Sequence, residues 1–440
     1  MRWVSRALCF LPLLGASACA EDALYVPPPD DCAVETQKEW VYDTMDYAYL
    51  FRTALTPKQE VDFDAFESPE ELLSALRVSP DRWSRVADKE TSDALFMEGK
   101  TIGTGLIAKW TEAGTLRVAF VYPESPAEQA GILRGDTIVS VNGTPALDNV
   151  ALPWGENEPG VVEMIELLPL GAPVDAAPSA ISLTRDWFTI ATVPQRAVLD
   201  FGGSKVGYLH FKSFVEPSIP ALDEAFAAFQ ADGVTRVVVD MRYNGGGLVK
   251  VARHLMHLLA GAANAGEVAY RVVYNDNLKD SNVTHDLQNL ERSIDLEKVV
   301  FITTKSTASA SELVINAVRP WVDVTIVGAT TSGKPVGSNS FEFCEKLLFP
   351  ISFKLVNVDD EGDYFDGIVP DCEVADDLDH ALASPDEAAL AVSLIAATMG
   401  GCGDAPLESA LPLAAGTISE PVIEIGDDVP EGAVHTSLTR

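Results

Sequence analysis

Arg236-Val237-Val238-Val239-Asp240-Met241-Arg242-Tyr243-Asn244-Gly245-Gly246-Gly247 joins an apolar strand to a glycine-rich loop, and a helical pattern follows over Leu248–Leu259. Three successive glycines let the backbone approach another group closely, with N–H donors free to bind an anion. The plainer reading is a tight turn that needs positive φ. The loop lacks the G-x-G-x-x-G spacing, so the dinucleotide fingerprint fails. The same grammar repeats on both sides. Val206–Phe211 predicts a strand, Ala221–Gln230 a helix, Val299–Thr303 a strand, Glu312–Val318 a helix and Val324–Val327 a strand. This alternation argues an α/β layer with substantial parallel pairing.

Upstream the texture differs. Between residues 96 and 188, short β-type runs such as Leu116–Val121 and Thr137–Val141 alternate with Gly and Pro turns, including Asn142-Gly143. Residues 35–60 predict helix, with Trp40, Val41, Met45, Tyr49 and Leu50 at helical spacing. Ser68-Pro69-Glu70-Glu71 reads as a cap with Pro in the first turn, and the helix continues through Leu72, Leu73 and Leu76. No chemistry stands out there, so these helices read as a small domain or a brace. Pro27-Pro28-Pro29-Asp30-Asp31 is a stiff polar spacer. The acidic stretch 404–440 has no period and predicts a disordered tail.

The chain has 440 residues with 31 Lys plus Arg against 66 Asp plus Glu, a net charge of −35. Nucleic acid is excluded as a partner, because binding it rests on basic groups that neutralise phosphates. The excess acid reads as solubility. At the N-terminus, Arg2 and Arg6 precede the apolar run Ala7–Leu14 and then Gly15-Ala16-Ser17-Ala18-Cys19. This is the order of an export signal, and the run is too short to span a membrane. Cys19 after Ala-Ser-Ala resembles a bacterial lipoprotein signal with lipid on Cys19; the other reading is plain cleavage after Ala18. Cys32, Cys344, Cys372 and Cys402 remain for pairing in an oxidising compartment. Three pairings are open, of which Cys344–Cys372 with Cys32–Cys402 is expected. No two of these cysteines have C-x-x-C spacing, so no metal site is expected.

Two further stretches carry chemistry. Ser306-Thr307-Ala308-Ser309-Ala310-Ser311-Glu312 follows a strand, and Ser309 with Glu312 matches a capping box. Ser309 therefore reads either as a helix cap or as a nucleophile presented at a strand-to-helix turn, beside free helix N–H groups. Gly328-Ala329-Thr330-Thr331-Ser332-Gly333-Lys334-Pro335 nearly matches a phosphate-binding loop. Pro335 stands where that loop needs a hydroxyl, so nucleotide binding is rejected. What remains is Lys334 in a turn. Ser309 and Lys334 each sit at the end of a strand, where an α/β sheet gathers its site. A Ser-Lys dyad is a known variant of the Ser-His-Asp arrangement. Its lysine must be neutral, so burial has to lower a pKa that is ordinarily about 10.4. His210 and His257 are the histidines that a triad reading would draw on, but a satisfied or solvent-facing histidine is the more frequent outcome and the one expected here.

These motifs resemble those of the C-terminal processing peptidases, or tail-specific proteases, from about residue 35 to about residue 400. Ser306–Glu312 is similar to the family's nucleophile stretch, which puts the nucleophile at Ser309. Gly333-Lys334 is similar to its lysine loop. Asp240–Gly247 resembles its D-x-R-x-N-x-G-G loop, which implies an oxyanion donor at the Gly246 amide, aided by Gly247, with the Ala310 amide as the second donor. Gly367-Ile368-Val369-Pro370-Asp371 is also similar to a family motif. Gly103-Thr104-Gly105-Leu106, with Ser125–Ile132 and Arg134-Gly135-Asp136, resembles a PDZ module whose Gly103–Leu106 loop would cradle a peptide carboxylate. The chain departs from the family at Ser338, where several members carry a Gln that orients the lysine, and at Gly245, where Pro is common.

The expected fold class is a multidomain α+β chain: a small N-terminal helical domain, a PDZ-like β domain and an α/β core of the ClpP and crotonase type that the resemblance implies. The expected boundaries are a signal at 1–18, a linker at 19–34, the helical domain at 35–95, the PDZ-like domain at 96–188, the catalytic domain at 189–402 and the tail at 403–440. The expected function is that of a serine endopeptidase acting on polypeptides near free C-termini. Ser309 and Lys334 would form the dyad, Gly246 and Ala310 the oxyanion donors, and Ser338 the third position. The rival is a catalytically silent, surface-anchored peptide-binding protein. No cofactor or metal is expected. The expected location is outside the cytoplasm, either periplasmic and anchored to a membrane through lipid on Cys19 or secreted.

Overall fold

The strand Arg236–Asp240 lies in the middle of a six-stranded sheet in a computed structural model that describes residues 26–147, 151–173 and 175–403. Its neighbours are Ser204–His210 and Lys298–Thr303, both parallel to it, with Val238 paired to Tyr208 and Val300. Asp323–Gly328 and Cys372–Glu373 continue the parallel run, and Gln195–Phe201 closes the other edge antiparallel. Successive strand residues point to opposite faces. Val237, Val239, Val299 and Phe301 face a core built with the helices Ser218–Asp232, Val249–Asn264 and Ala310–Val318. Val238, Val300 and Ile302 face a second core under the helix Ala388–Met399. Both faces are covered, so the strands are apolar throughout rather than alternating.

The larger core also takes in Val41, Met45, Leu72 and Leu73 of the N-terminal helices. The helix predicted over 35–60 ends at Ala48 and gives way to short turns at Arg52–Ala54 and Lys58–Glu60. Tyr49 leaves the helix with extended backbone, and its hydroxyl donates to Asp81 at 2.9 Å. Tertiary contact thus overrides the local apolar spacing. The second helix, Pro69–Leu76, is capped by Ser68 as expected. Beyond it, Arg85–Asp88 joins Lys346–Phe349 and Phe341–Phe343 in a three-stranded sheet.

A separate antiparallel sheet runs through Leu106–Trp110, Leu116–Val121, Thr137–Val141, Val162–Leu168 and Ser179–Thr184, around its own apolar cluster. A two-stranded ribbon, Lys100–Gly103 with Asp186–Thr189, brackets it in sequence. A fourth cluster joins Ala119, Phe120 and Tyr122 of this sheet to Tyr243, Leu378 and Leu382.

The cysteines pair differently from the expectation. Cys344 bonds Cys32 rather than Cys372, and Cys372 bonds Cys402. The start of the first helix lies against the Phe343 strand, where Trp40 stacks on Phe343 at 4.6 Å, and this brings Cys32 to Cys344. The end of the helix Ala388–Met399 returns Cys402 to the edge strand that holds Cys372. The predicted signal, Cys19 and the tail beyond Gly403 lie outside the described residues. Among the described residues no helix is long and apolar enough to cross a membrane.

Candidate active site

The C-terminal ends of the parallel strands bring three loops together. Met241 N–H donates to Ile302 O, and Ala329 N–H donates to Thr303 O. Asn244 O accepts Ala308 N–H and the Ser311 hydroxyl, both at 3.1 Å. The Thr307 hydroxyl donates to Met241 O at 2.8 Å, while Ser332 N–H donates to Thr307 O at 2.9 Å. The glycine loop, the Ser309 turn and the Lys334 loop are therefore one hydrogen-bonded unit. The three stretches singled out in the sequence are neighbours.

Ser309 stands at the entry of the helix Ala310–Val318 with φ 53° and ψ −107°, a backbone conformation that side chains other than glycine rarely adopt. Ser309 and Glu312 have the outline of a capping box, and Ser309 N–H donates to Glu312 Oε2 at 2.7 Å. The Ser309 hydroxyl itself reaches no hydrogen-bonding geometry with any partner among the described residues. It is buried and available, as a nucleophile needs to be.

Lys334 is 1% exposed. Burial, with the Arg85 guanidinium nearby, lowers its pKa to about 7, against the opposing pull of Asp81 and Glu312. Its backbone N–H donates to Glu312 Oε2 at 2.9 Å, the same oxygen that Ser309 N–H reaches. Gly333 has φ 85°, and a Cβ there would collide with the Phe365 carbonyl, so glycine is required before the lysine. The side chain of Ser338 is buried on the short strand Val336–Ser338, four positions beyond Lys334.

The glycine loop departs from the expectation in one respect. Gly246 N–H donates to Asn244 Oδ1 at 2.9 Å, so this amide is already engaged. Gly247, at φ 142° and packed on the Phe214 carbonyl where no Cβ fits, has no such bond among the described residues. Ala310 holds the first helical position, where N–H groups lack an intrahelical partner.

The histidines do not assemble a triad. His210 is fully buried with its ring edge-on to Phe120 at 5.1 Å, neither ring nitrogen has a partner among the described residues, and burial depresses its pKa to about 4. His257, on the helix Val249–Asn264, instead accepts Gln288 N–H at Nδ1.

Sequence reasoning missed an ion cluster behind the glycine loop. Arg242, 1% exposed, donates to Asp240 and to Glu387. Asp376 accepts Arg134 at 2.8 Å, Lys109 at 3.0 Å and the Tyr243 hydroxyl at 2.6 Å. Arg134 also reaches the Tyr243 hydroxyl at 2.8 Å and the Ala119 carbonyl. Lys109 and Arg134 belong to the separate β-sheet module, so this cluster binds that module to the loop after Asp240. The signal was present in Arg134-Gly135-Asp136 and in the acid run Asp376-Asp377, but nothing in their spacing pairs them.

In the module, Gly103 pairs with Asp186 and Leu106 with Val121, so Thr104 and Gly105 form the link between two strands. Thr104 O accepts Ala127 N–H at 2.8 Å. Leu106–Trp110 is an edge strand of its sheet.

Comparison with known proteins agrees with this layout. The model of peptidase family S41 matches residues 205–374, that of the peptidase S41 N-terminal domain matches 36–85, and a PDZ domain model matches 117–151. A carboxyl-terminal-processing protease of Picosynechococcus is 27% identical over 287 residues, covering 63% of this chain and 65% of the relative. A chloroplastic C-terminal processing peptidase of Tetradesmus obliquus is 28% identical over 306 residues, covering 65% of this chain and 63% of the relative. The chain thus spans somewhat less than two thirds of the length of these relatives. In fold it is similar to a putative S41 protease from Bacteroides fragilis, with a TM-score of 0.66, 23% identity, and coverage of 81% of this chain and 96% of that one. The N-terminal helices at 36–85 and the parallel-sheet core at 205–374 thus match peptidase family S41, with a PDZ sheet between them.

Proposed function

We propose that the protein is a serine endopeptidase in which Lys334 takes the proton of Ser309 and Ser309 attacks the scissile carbonyl. The observation that carries this reading is the convergence of the two backbones on one oxygen, Glu312 Oε2, with an unbonded hydroxyl on one side and a buried lysine on the other. A lysine whose pKa is lowered to about 7 is a competent base near neutral pH. The acyl-enzyme then forms and water resolves it. The Ala310 amide, at the positive end of its helix, is one oxyanion donor. Gly247 is the second in this state, and Gly246 joins only when Asn244 Oδ1 releases it. Ser338 is the candidate third group, by its place four residues past the lysine.

The substrate is a polypeptide with a free C-terminus, delivered by the PDZ module. The open edge of Leu106–Trp110 suits addition of an extended peptide. Beside it lies a cavity of about 160 Å³ lined by Leu106, Trp110, Leu116, Leu152, Trp154 and Arg185, which is room for a small terminal side chain. Export is the location we infer, since two disulfides suit an oxidising compartment and the sequence opens with a signal-like run. Lipid on Cys19 is the anchoring reading.

The test is cleavage of an unfolded model protein by the mature chain and by Ser309→Ala and Lys334→Ala, across pH. Expected are loss of activity in both variants and a wild-type rate that rises through about pH 7, as Lys334 loses its proton. Equal behaviour of all three would sink the peptidase reading in favour of a silent peptide-binding protein.

A further inference from the structure

Glu312 enters the sequence as the last position of a capping box. In the structure its side chain is fully buried and each of its oxygens receives two donors. Oε2 accepts Ser309 N–H at 2.7 Å and Lys334 N–H at 2.9 Å. Oε1 accepts Gly333 N–H at 2.7 Å and the Thr331 hydroxyl at 2.5 Å. Thr331 Oγ1 in turn accepts Ile368 N–H at 2.7 Å. A helix cap needs only the first of these bonds. The other three reach a different loop, 19 to 22 positions along the chain, and serve no capping purpose.

We propose that Glu312 is a positioning residue for the reaction: its carboxylate holds the Ser309 turn and the Lys334 loop in register, gripping both residues by their amides. This rests on the dyad reading above. The grip leaves the Ser309 hydroxyl unengaged, as the reaction needs. It also restrains a Ser309 backbone in a conformation that side chains other than glycine rarely adopt.

Only a carboxylate fits. A carboxylate offers about four lone-pair sites, and here four donors take them. A glutamine in its place would turn an NH2 group toward two donors and accept from neither. An aspartate is one methylene too short to hold both loops. Other charged or titratable groups act on the same region. Arg85 and Asp81 bear on Lys334 with opposite signs, and burial together with Glu312 holds the Tyr364 hydroxyl well above its ordinary pKa. As an anion, Glu312 favours the charged lysine, so its removal has a second, separable consequence.

The experiment compares wild type, Glu312→Gln and Thr331→Val as full mature chains. Readouts are steady-state cleavage of an unfolded model protein across pH, fluorophosphonate labelling at Ser309, and urea unfolding. For Glu312→Gln we expect kcat to fall by about a hundredfold or more with KM little changed, as for a misplaced reacting group. The acid limb of its residual activity should move to lower pH, because the anion that favoured the charged lysine is gone. A mere helix cap would lower stability but leave the kcat of the folded enzyme unchanged. Thr331→Val, which keeps three of the four bonds, should lose roughly tenfold in kcat with an unmoved limb. If Glu312→Gln does not fold, Thr331→Val decides alone, and an undiminished kcat there overturns the proposal. If the wild type neither cleaves nor labels at Ser309, the dyad reading falls and takes this one with it. If the wild type is active and folded Glu312→Gln matches its kcat, the dyad survives and the positioning role of Glu312 is overturned.

Discussion

Glu312, which joins the two loops of the proposed dyad, and Asp376, which joins two modules, are buried carboxylates held in opposite ways. Glu312 meets three backbone amides and one hydroxyl, all uncharged. Burial pushes its pKa up, and the four bonds offset only part of that. Asp376, its side chain 4% exposed, faces Lys109, Arg134 and Arg242. Burial alone would raise its pKa too, but Arg134, Arg242 and Lys109 outweigh burial and hold it well below the usual carboxylate range. With similar burial, the charge of the partners decides the sign. Neutral donors align two loops without adding a further cation to Lys334 and Arg85. An ion cluster instead welds the PDZ sheet to the loop after Asp240.

The largest expected effect lies on the ionic side. Arg242→Met leaves Asp240 and Glu387, both 0% exposed, without their shared cation. Unfolding free energy should drop by about 3–5 kcal/mol, read by urea denaturation. A loss below about 1 kcal/mol would mean that the cluster is wetter or more adaptable than its burial implies.

Next in size is Asp376→Asn, expected to cost about 2–3 kcal/mol by stranding positive charge on Arg134 and Arg242. Combined with Arg134→Met in a double-mutant cycle, the two changes should couple by about 1–3 kcal/mol across the module boundary. Simple additivity would break the picture of a weld.

The pH dependence sharpens the contrast at smaller amplitude. Asp376 has a lowered pKa in the folded chain, so its stabilisation is fully present above the unfolded value of about 3.9 and is lost as pH falls through the folded value. Glu312 has a raised pKa, so its contribution is present below the unfolded value of about 4.3 and is lost as pH rises through the folded one. Urea midpoints followed from pH 3 upward should lose acid sensitivity in Asp376→Asn. In Glu312→Gln they should instead lose the decline above about pH 4. Identical profiles for the two variants would erase the distinction. The smallest effect belongs to Lys109→Met, a partner 36% exposed, which should cost less than about 1 kcal/mol.

Much of the α/β core was legible because its strands are buried on both faces. Runs such as Val237-Val238-Val239 and Val299-Val300-Phe301 carry no polar interruption, and loops bearing Gly or Ser separate them from amphipathic helices. The helix Ala388–Met399 went unread, although its apolar residues cover one whole face of the sheet and its N-cap, Glu387, holds Arg242. The same was true of Val268–Tyr274 and Ile351–Val356, paired strands far apart in sequence. Glu312 was legible only as a cap, since a four-residue pattern reports the bond to Ser309 and not those to Thr331, Gly333 and Lys334. The Gly246 amide was assigned as free because a glycine-rich loop shows where N–H groups crowd, not which of them Asn244 has already taken.

Local order and chemical identity were largely determined by the sequence itself: which segments of the α/β core alternate as strands and helices, which loops carry a hydroxyl, an amine or crowded amides, and that no phosphate-binding loop is completed after Lys334. Those properties depend on side-chain period, backbone permissiveness and residue type over a few positions. The tertiary structure alone decided which cysteines meet, which histidine is buried with neither ring nitrogen bonded among the described residues, and that the lysine's pKa falls. It also decided that Glu312 clasps two loops while Asp376 clasps two modules. Such properties depend on burial and on partners brought together from distant positions, and an interaction through space leaves no period along the chain.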